Sequence, residues 1–421
     1  MAKTKLQTDL EERGLIAQTG GGDLSEVLSK KRSMYVGVDP TADSMHVGNL
    51  VPIILMKHLS DAGYTPYLLV GGATGMIGDP RESGERQLLD DKTLKHNLAC
   101  IKSQMSGLLN KKDLKVLNNA DWLSKIKLLD FLRDVGKHFT VNQLIKRDII
   151  KRRLETDEDS ISYTEFSYSL LQACDYLHLH KTYGVDLQIG GSDQWANIIS
   201  GVDLIRRKHG NNVYALTTPM INDKTTGKKF GKSEGNAVWL DPKKTSPLTF
   251  YQFWINTADE NVEEYLHVFS FTPLTKLKTI IKKHKAEPHK RLAQRQLADD
   301  MTTFVHGKLV ATSVKKVTDI LYGKKPSSNL TKTEKALLIY EAPSLAISKT
   351  NLKKGLNISE VLVLLDLVKS KSEARRIIEA GGVSVDTKPV GIDFCFNEKT
   401  LKKDLTLVKK GKTIGVVYKN N

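Results

Sequence analysis

Two short segments carry side chains whose types and spacing suit phosphate chemistry. The first, residues 39–50, reads Asp-Pro-Thr-Ala-Asp-Ser-Met-His-Val-Gly-Asn-Leu. An apolar stretch, Met34 to Val38, runs into it, and an apolar-periodic stretch from about Val47 to Ser60 runs out. The pattern predicts a strand-to-helix junction with His46 and Gly48 at the helix start. An imidazole beside the unpartnered backbone N–H groups of a helix N-terminus is where phosphate is most easily held. A histidine there serves equally as a simple cap, so the segment needs a second half. Lys229-Phe230-Gly231-Lys232-Ser233 supplies one, within a polar stretch from Asn222 to Asn236 rich in Gly, Lys and Thr. Two lysines around a small residue suit a loop that closes over a triphosphate and neutralises charge in a transition state. A solvated lysine loop is the plain alternative. Two other phosphate motifs are excluded. A P-loop needs glycine where Thr226 stands, and the glycines between Gly71 and Gly78 do not match G-x-G-x-x-G.

A third set lies on a helix expected from about Thr164 to His178. Tyr168, Gln172 and Asp175 sit at i, i+4 and i+7, within roughly 60° of one another on one face. Phe166, Leu170 and Leu177 fall on the opposite face and would pack a core. A polar stripe inside a domain needs a partner, since unpaired buried polar groups are costly. A bound polar ligand would supply one, and solvent is the alternative.

The elements that must position these groups read as α/β. Strand 34–38, the helix after His46 and a strand over Thr65 to Val70 make one βαβ unit, with Gly63 stopping the helix. Strand Asp186 to Ile189, followed by Gly-Gly-Ser-Asp-Gln-Trp and a helix from about Gln194 to Lys208, makes a second. Alternating elements imply a parallel sheet with ligands at the C-terminal strand ends, a doubly wound, Rossmann-like domain. Residues from about Ser246 to Leu321 read as helical, and the turn-rich run Gly323 to Asn329 suggests a boundary. The basic tail from about Asn351 reads as a separate α+β unit. There Ser370 and Glu373 form a capping box ahead of a helix, and a hairpin follows with a turn through Asp386 to Pro389. A chain of 421 residues is expected to hold two or three domains. The formal charge of +16 fits a polyanionic partner or a lysine-rich surface equally well. Cys100, Cys174 and Cys395 have no metal-ligand spacing and suit a reducing, cytoplasmic setting. No apolar run of about 18 residues predicts a membrane span, and the polar N-terminus lacks a signal-peptide pattern.

Together, His46-Val47-Gly48-Asn49 and Lys229-Phe230-Gly231-Lys232-Ser233 resemble the paired signatures of class I aminoacyl-tRNA synthetases, His-Ile-Gly-His and Lys-Met-Ser-Lys-Ser. Four further stretches are similar to bacterial tyrosyl-tRNA synthetases: Tyr-Val-Gly-Val-Asp-Pro-Thr-Ala-Asp-Ser, Gly-Gly-Ala-Thr-Gly-Met-Ile-Gly-Asp-Pro, Gln-Ile-Gly-Gly-Ser-Asp-Gln-Trp and Phe-Tyr-Gln-Phe-Trp-Ile-Asn-Thr. The resemblance spans nearly the whole chain. It implies tyrosine activation by ATP and transfer to tRNA(Tyr), with His46, Asn49, Lys229 and Lys232 catalytic. It implies that Tyr35 and Asp175 bond the substrate's phenolic hydroxyl, that Asp79, Tyr168 and Gln172 hold its ammonium group, and that Gln188 and Gln194 support the pocket. Asp39, Thr41, His46, Gly48, Gly191, Asp193 and Lys232 would form the ATP side, with Mg2+ bridging the phosphates and no dedicated protein metal site. Arg81 and Arg86 could face phosphate or solvent. The chain departs from the signatures at Asn49, where a second histidine is usual, and at Phe230-Gly231, which replaces Met-Ser. The resemblance further implies a catalytic domain over 1–245, a helical anticodon-region domain over 246–323, a linker over 324–350, and a homodimer. The tail, 351–421, resembles the small RNA-binding domain named after ribosomal protein S-four, with Lys369, Lys371, Arg375, Arg376 and Lys388 toward tRNA. Two alternatives remain: a tryptophan-specific relative, and a non-catalytic RNA-binding protein on the same fold.

Overall fold

The computed structural model describes residues 3–80, 90–109, 114–155, 160–233, 236–321, 329–401, 404–411 and 413–419, with backbone alone at 148, 149, 232, 233 and 236. Two compact units account for it: Met1–Thr245 with Phe253–Met301, and Ser246–Gln252 with Thr302–Asn421.

The first unit is built on a six-stranded sheet, β1 (Gln18–Gly20), β2 (Ser33–Val38), β3 (Thr65–Val70), β4 (Lys115–Asn118), β5 (Val185–Gly191) and β6 (Tyr214–Thr218), in the order β1-β6-β5-β2-β3-β4. Strands β2 to β6 run parallel, and β1 is an antiparallel edge. Continuous apolar runs such as Pro66 to Val70, buried throughout, suit strands covered on both faces. The chain leaves β2 through the helix Leu50–Asp61 to β3 and then β4, and returns to lay β5 on the other side of β2. Strand order therefore reverses between β2 and β5, and that crevice, beyond their C-terminal ends, is where such sheets bind ligands. The doubly wound expectation holds.

The helix carrying Tyr168 runs from Tyr163 to Tyr183, longer than its polar stripe. Ser162 and Glu165 form a capping box at its start, and Gly184, at φ 65°, ends it in the left-handed conformation. Leu170 and Leu177 pack into the core beside Tyr35 and Tyr176, with Phe166 partly buried against it.

The second unit carries a five-stranded sheet ordered 388–389, 383–385, 405–410, 413–419, 344–347. Its last pairing, Val416 to Lys419 beside Ser344 to Ile347, is parallel. Described residues of the expected linker are therefore structured. Thr331 and Glu334 cap a helix, Lys332–Glu341, and Ser344–Ile347 is the sheet's edge strand. Alternation too short for sequence periodicity to register is rescued here by pairing. The tail helix, Lys371–Glu379, is capped by Ser370, but Glu373 reaches back to the Lys369 N–H rather than closing the expected reciprocal box. The hairpin turns on Asp386 and Thr387, both at positive φ.

Candidate active site

His46 is an N-cap. Its Nδ1 accepts the Gly48 N–H at 3.1 Å, and Asn49 Oδ1 accepts the His46 N–H at 3.0 Å. A backbone N–H can only donate, so Nδ1 must be the acceptor and the ring proton sits on Nε2. The cap thus fixes His46 as a donor from its outer nitrogen. Asn49 holds the motif together through its carbonyl oxygen, a task a histidine ring at that position could not perform in the same way.

The backbone that follows the lysine segment is tied to this junction. The Val47 N–H donates to the Val238 carbonyl at 2.9 Å, and the Leu240 N–H to Met45 at 2.9 Å. Gly231, at φ 84°, lies so close that a Cβ there would fall 2.8 Å from the Gly48 nitrogen. The residue that departs from Met-Ser is thus required by contact and by conformation. Phe230 supplies the anchor, buried among Phe253, Trp254, Tyr265 and Phe269 at centroid distances of 4.9–5.7 Å. Within the stretch expected as one polar loop, Asn222 is bridged to Lys229 in antiparallel fashion. Lys229 pairs with Asp193 at 3.6 Å, both side chains about half exposed. Such a pair is worth ~0–1 kcal/mol, so phosphate can take the lysine at little cost. The Lys232 side chain, Arg81 and Arg86 lie outside the described residues.

Two cavities meet at the crevice between β2 and β5. One, about 320 Å³, is lined by His46, Gly48, Gly191, Asp193 and Lys229 among others. The other, about 280 Å³, is lined by Tyr35, Asp39, Thr41, Asp79, Tyr168, Gln172, Asp175, Gln188 and Gln194 with their neighbours. Gly37, Val38, Asn49, Gly190 and Gln194 border both. Glycines at the strand ends keep the passage open: a Cβ on Gly37 would meet nothing within 4 Å, whereas one on Gly191 would strike Asp193.

The second cavity has buried polar groups in its lining. Asp175 is buried and accepts from Asn119 Nδ2 at 2.9 Å and Trp122 Nε1 at 2.8 Å. Burial pushes its carboxyl up to about 7, against those two hydrogen bonds, and the Asp39 charge adds to the rise. The Tyr35 hydroxyl and Gln188 Oε1 are buried without a hydrogen-bond partner. Leaving a buried hydroxyl unpaired costs ~1–3 kcal/mol, which a ligand with its own hydroxyl would recover. Asp39, on the same lining, accepts from the Tyr168 hydroxyl and from Thr74 Oγ1, each at 2.9 Å. Asp79 accepts from Gln194 and Asn197. One cavity therefore brings together an unpaired buried hydroxyl, a raised carboxyl and two further carboxylates.

Comparison with known proteins decides the family. Residues 29–323 match the family described as tRNA synthetases class I (W and Y). The chain belongs to this family. A tyrosine–tRNA ligase of Flavobacterium psychrophilum is 41% identical over 420 residues, covering 97% of each chain. One from Streptococcus mutans is 42% identical over 417 residues, covering 96% of this synthetase and 97% of the relative. Among solved structures, a C-terminally truncated mitochondrial tyrosyl-tRNA synthetase of Aspergillus nidulans superposes with a TM-score of 0.67 at 33% identity, covering 76% of this chain and 95% of the other.

Sequence reasoning missed three residues that hydrogen-bond the carboxylates of the synthetase's cavity: Asn119, Trp122 and Asn197. Asn119 and Trp122 stand just after β4, and that strand itself had no sequence signal beyond four residues. In the second unit Lys369, Lys371, Arg375, Arg376 and Lys388 are all exposed, and Lys371 pairs with Glu360 at 2.6 Å. Among the described residues no helix is long and apolar enough to cross a membrane.

Proposed function

We propose that this synthetase is a tyrosine–tRNA ligase that forms tyrosyl-adenylate from L-tyrosine and ATP and then esterifies the 3′-terminal ribose of tRNA(Tyr). The observation that carries the reading is the buried pair in the lining of the 280 Å³ cavity, where the Tyr35 hydroxyl without a partner and the raised Asp175 carboxyl face one space. A phenolic hydroxyl satisfies both, as a donor to Asp175 and an acceptor from Tyr35. The names of the full-length relatives support the same choice.

In the first step a tyrosine carboxylate oxygen attacks the α-phosphorus of ATP, which enters as its magnesium complex. The bond to the bridging oxygen breaks, and pyrophosphate leaves with the electron pair. No covalent enzyme intermediate is needed, so the protein's work is positioning and charge stabilisation. Tyr35 and Asp175 hold the phenol, with Asp79, Tyr168 and Gln172 on the ammonium and Gln188 and Gln194 behind them. Gly48, Gly191 and Asp193 receive the nucleotide, with Asp39 and Thr41 meeting it from the lining of the amino-acid cavity. The His46 Nε2 proton, Asn49, Lys229 and Lys232 meet the charge that builds on the phosphates. In the second step a ribose hydroxyl of tRNA attacks the activated carbonyl and AMP leaves. A further cavity of about 480 Å³, bordered by Asp79 and Asp193, supports an approach for that ribose.

Residues 246–323 are read as the anticodon-region domain and 351–421 as an RNA-binding domain acting through Lys369, Lys371, Arg375, Arg376 and Lys388 on phosphates. Leu128 and Leu129, 71% and 78% exposed, with Leu132 and Val141, support a homodimer contact, since soluble surfaces seldom leave such a group bare.

Tyrosine-dependent exchange of labelled pyrophosphate into ATP tests the assignment. Exchange with tyrosine and little with tryptophan is expected; none with tyrosine, or equal exchange with tryptophan, overturns it. Reversing Arg375 and Arg376 to glutamate should cut tRNA charging and leave the exchange intact.

A further inference from the structure

Asp79 lines the amino-acid cavity, and two neutral amides hold it. Gln194 Nε2 donates to one oxygen at 2.6 Å, and Asn197 Nδ2 to the other at 3.0 Å. Asn197 Nδ2 also reaches Gln194 Oε1 at 3.2 Å. An amide can turn either end toward a neighbour, and its carbonyl end would repel a carboxylate. The far side of Asn197 decides. Arg147 Nη1 donates to Asn197 Oδ1 at 3.3 Å, and Nη2 donates to Ser200 Oγ at 2.5 Å. That hydroxyl in turn donates to the Ala196 carbonyl at 2.7 Å, so its lone pairs face the guanidinium.

A guanidinium carries donors only, so it keeps the Asn197 carbonyl toward itself and the NH2 toward Asp79. Burial pulls Arg147 down to about 10, and the Asp79 charge opposes that fall. Arg147 therefore acts on the carboxylate through the Asn197 amide, which fixes the direction of one of its hydrogen bonds. Both Arg147 and Asn197 line the neighbouring 480 Å³ cavity rather than the amino-acid cavity, and Asp79 borders the two. Neither residue is therefore placed to touch the amino acid.

We propose that Asn197 and Arg147 are positioning residues for the substrate's α-ammonium group: Arg147 sets the amide of Asn197, and Asn197 with Gln194 aims Asp79 at the ammonium. The proposal rests on the reading of this chain as a tyrosine-activating enzyme. It accounts for two residues that belong to neither signature motif.

The test separates ammonium recognition from general damage. Tyramine and 4-ethylphenol share the phenol and differ by the ammonium, so the ratio of their dissociation constants on the full-length protein, read by calorimetry, reports that group alone. Hydrogen bonds to charged groups carry enough energy for effects of about tenfold to a hundredfold. Asn197→Ala should reduce the preference for tyramine by about tenfold and raise the KM for tyrosine similarly. The affinity for 4-ethylphenol and the KM for ATP should stay unchanged. Arg147→Met should do the same, and Arg147→Lys, which still donates to the amide oxygen, should restore most of the preference. An unchanged tyramine preference in both Asn197→Ala and Arg147→Met overturns the proposal, as does equal weakening of both phenols. If the wild type failed to exchange pyrophosphate with tyrosine, the enzymatic reading would fall by a separate measurement.

Discussion

Replacing Asp175 with asparagine keeps the volume and shape of the side chain and changes its hydrogen-bond logic. Both of its protein partners are obligate donors in this setting. Trp122 offers only an indole N–H. Asn119 is fixed with its NH2 toward Asp175, because its own oxygen accepts the Ala73 N–H at 2.8 Å while the NH2 also serves Thr74 Oγ1 at 2.9 Å. An asparagine at 175 can accept from one of them and must turn its own NH2 toward the other or toward the substrate phenol. The variant loses one charge-assisted bond, ~1.5–3 kcal/mol, and strands one buried donor, ~1–3 kcal/mol. The stranded donor costs the free variant as much as its complexes and so lowers stability, whereas the lost bond to the phenol corresponds to a fall of about 10- to 10²-fold in kcat/KM for tyrosine. Phenylalanine brings no hydroxyl to Asp175, so its own kcat/KM should change little and the selectivity should collapse by the same factor. Pyrophosphate exchange at a series of tyrosine and phenylalanine concentrations measures both. A tyrosine-to-phenylalanine ratio within about threefold of wild type would falsify the placement of the phenol against Asp175.

Three further outcomes are expected. Asp175 is protonated in the folded protein up to about pH 7 but loses its proton at ~3.9 when unfolded, so the folded state binds the extra proton between those values. Stability should therefore fall as pH rises from about 4 to about 7, by on the order of 4 kcal/mol from this group, and Asp175→Asn should lack that component in denaturant titrations. Gly231→Ala forces a side chain into positive φ at ~1–2 kcal/mol and onto the Gly48 nitrogen. The exchange kcat should drop about tenfold with an unaltered KM for tyrosine, and a shift confined to that KM would count against the Gly48–Gly231 contact. Sedimentation of the wild type should give the proposed dimer, and Leu128→Asp combined with Leu129→Asp should give monomer; a monomeric wild type or an unshifted dimer would count against this interface.

Local pattern made much of the site legible. His46 and the strand before it, the lysine segment, and the i, i+4, i+7 spacing of Tyr168, Gln172 and Asp175 can all be read without coordinates. Helix and strand periods are short-range properties, and capping and glycine stops are local chemistry. Asn119, Trp122 and Asn197 could not be found that way. Each is an ordinary polar or aromatic residue whose role exists only because β4 and the helix after β5 bring it against a carboxylate far away in sequence. Strand Ser344–Ile347 was missed for a related reason, since a four-residue edge strand is defined by its pairing with Val416 to Lys419 more than by its own residues.

The sequence by itself determined the chemical inventory: an imidazole at a helix start, two lysines around a glycine, and three polar side chains on one helical face. It also determined the class of sheet, through the alternation of strand and helix. Only the tertiary structure decided how the halves meet, with Gly231 pressed on Gly48 and two cavities joined across Gly37 and Gly190. It alone decided which groups lack partners, because burial and hydrogen bonding are properties of neighbours in space. The Tyr35 hydroxyl and the raised Asp175 carboxyl are the clearest case: the chain names both residues, and only folding, by removing water from them, leaves one without a partner and raises the other.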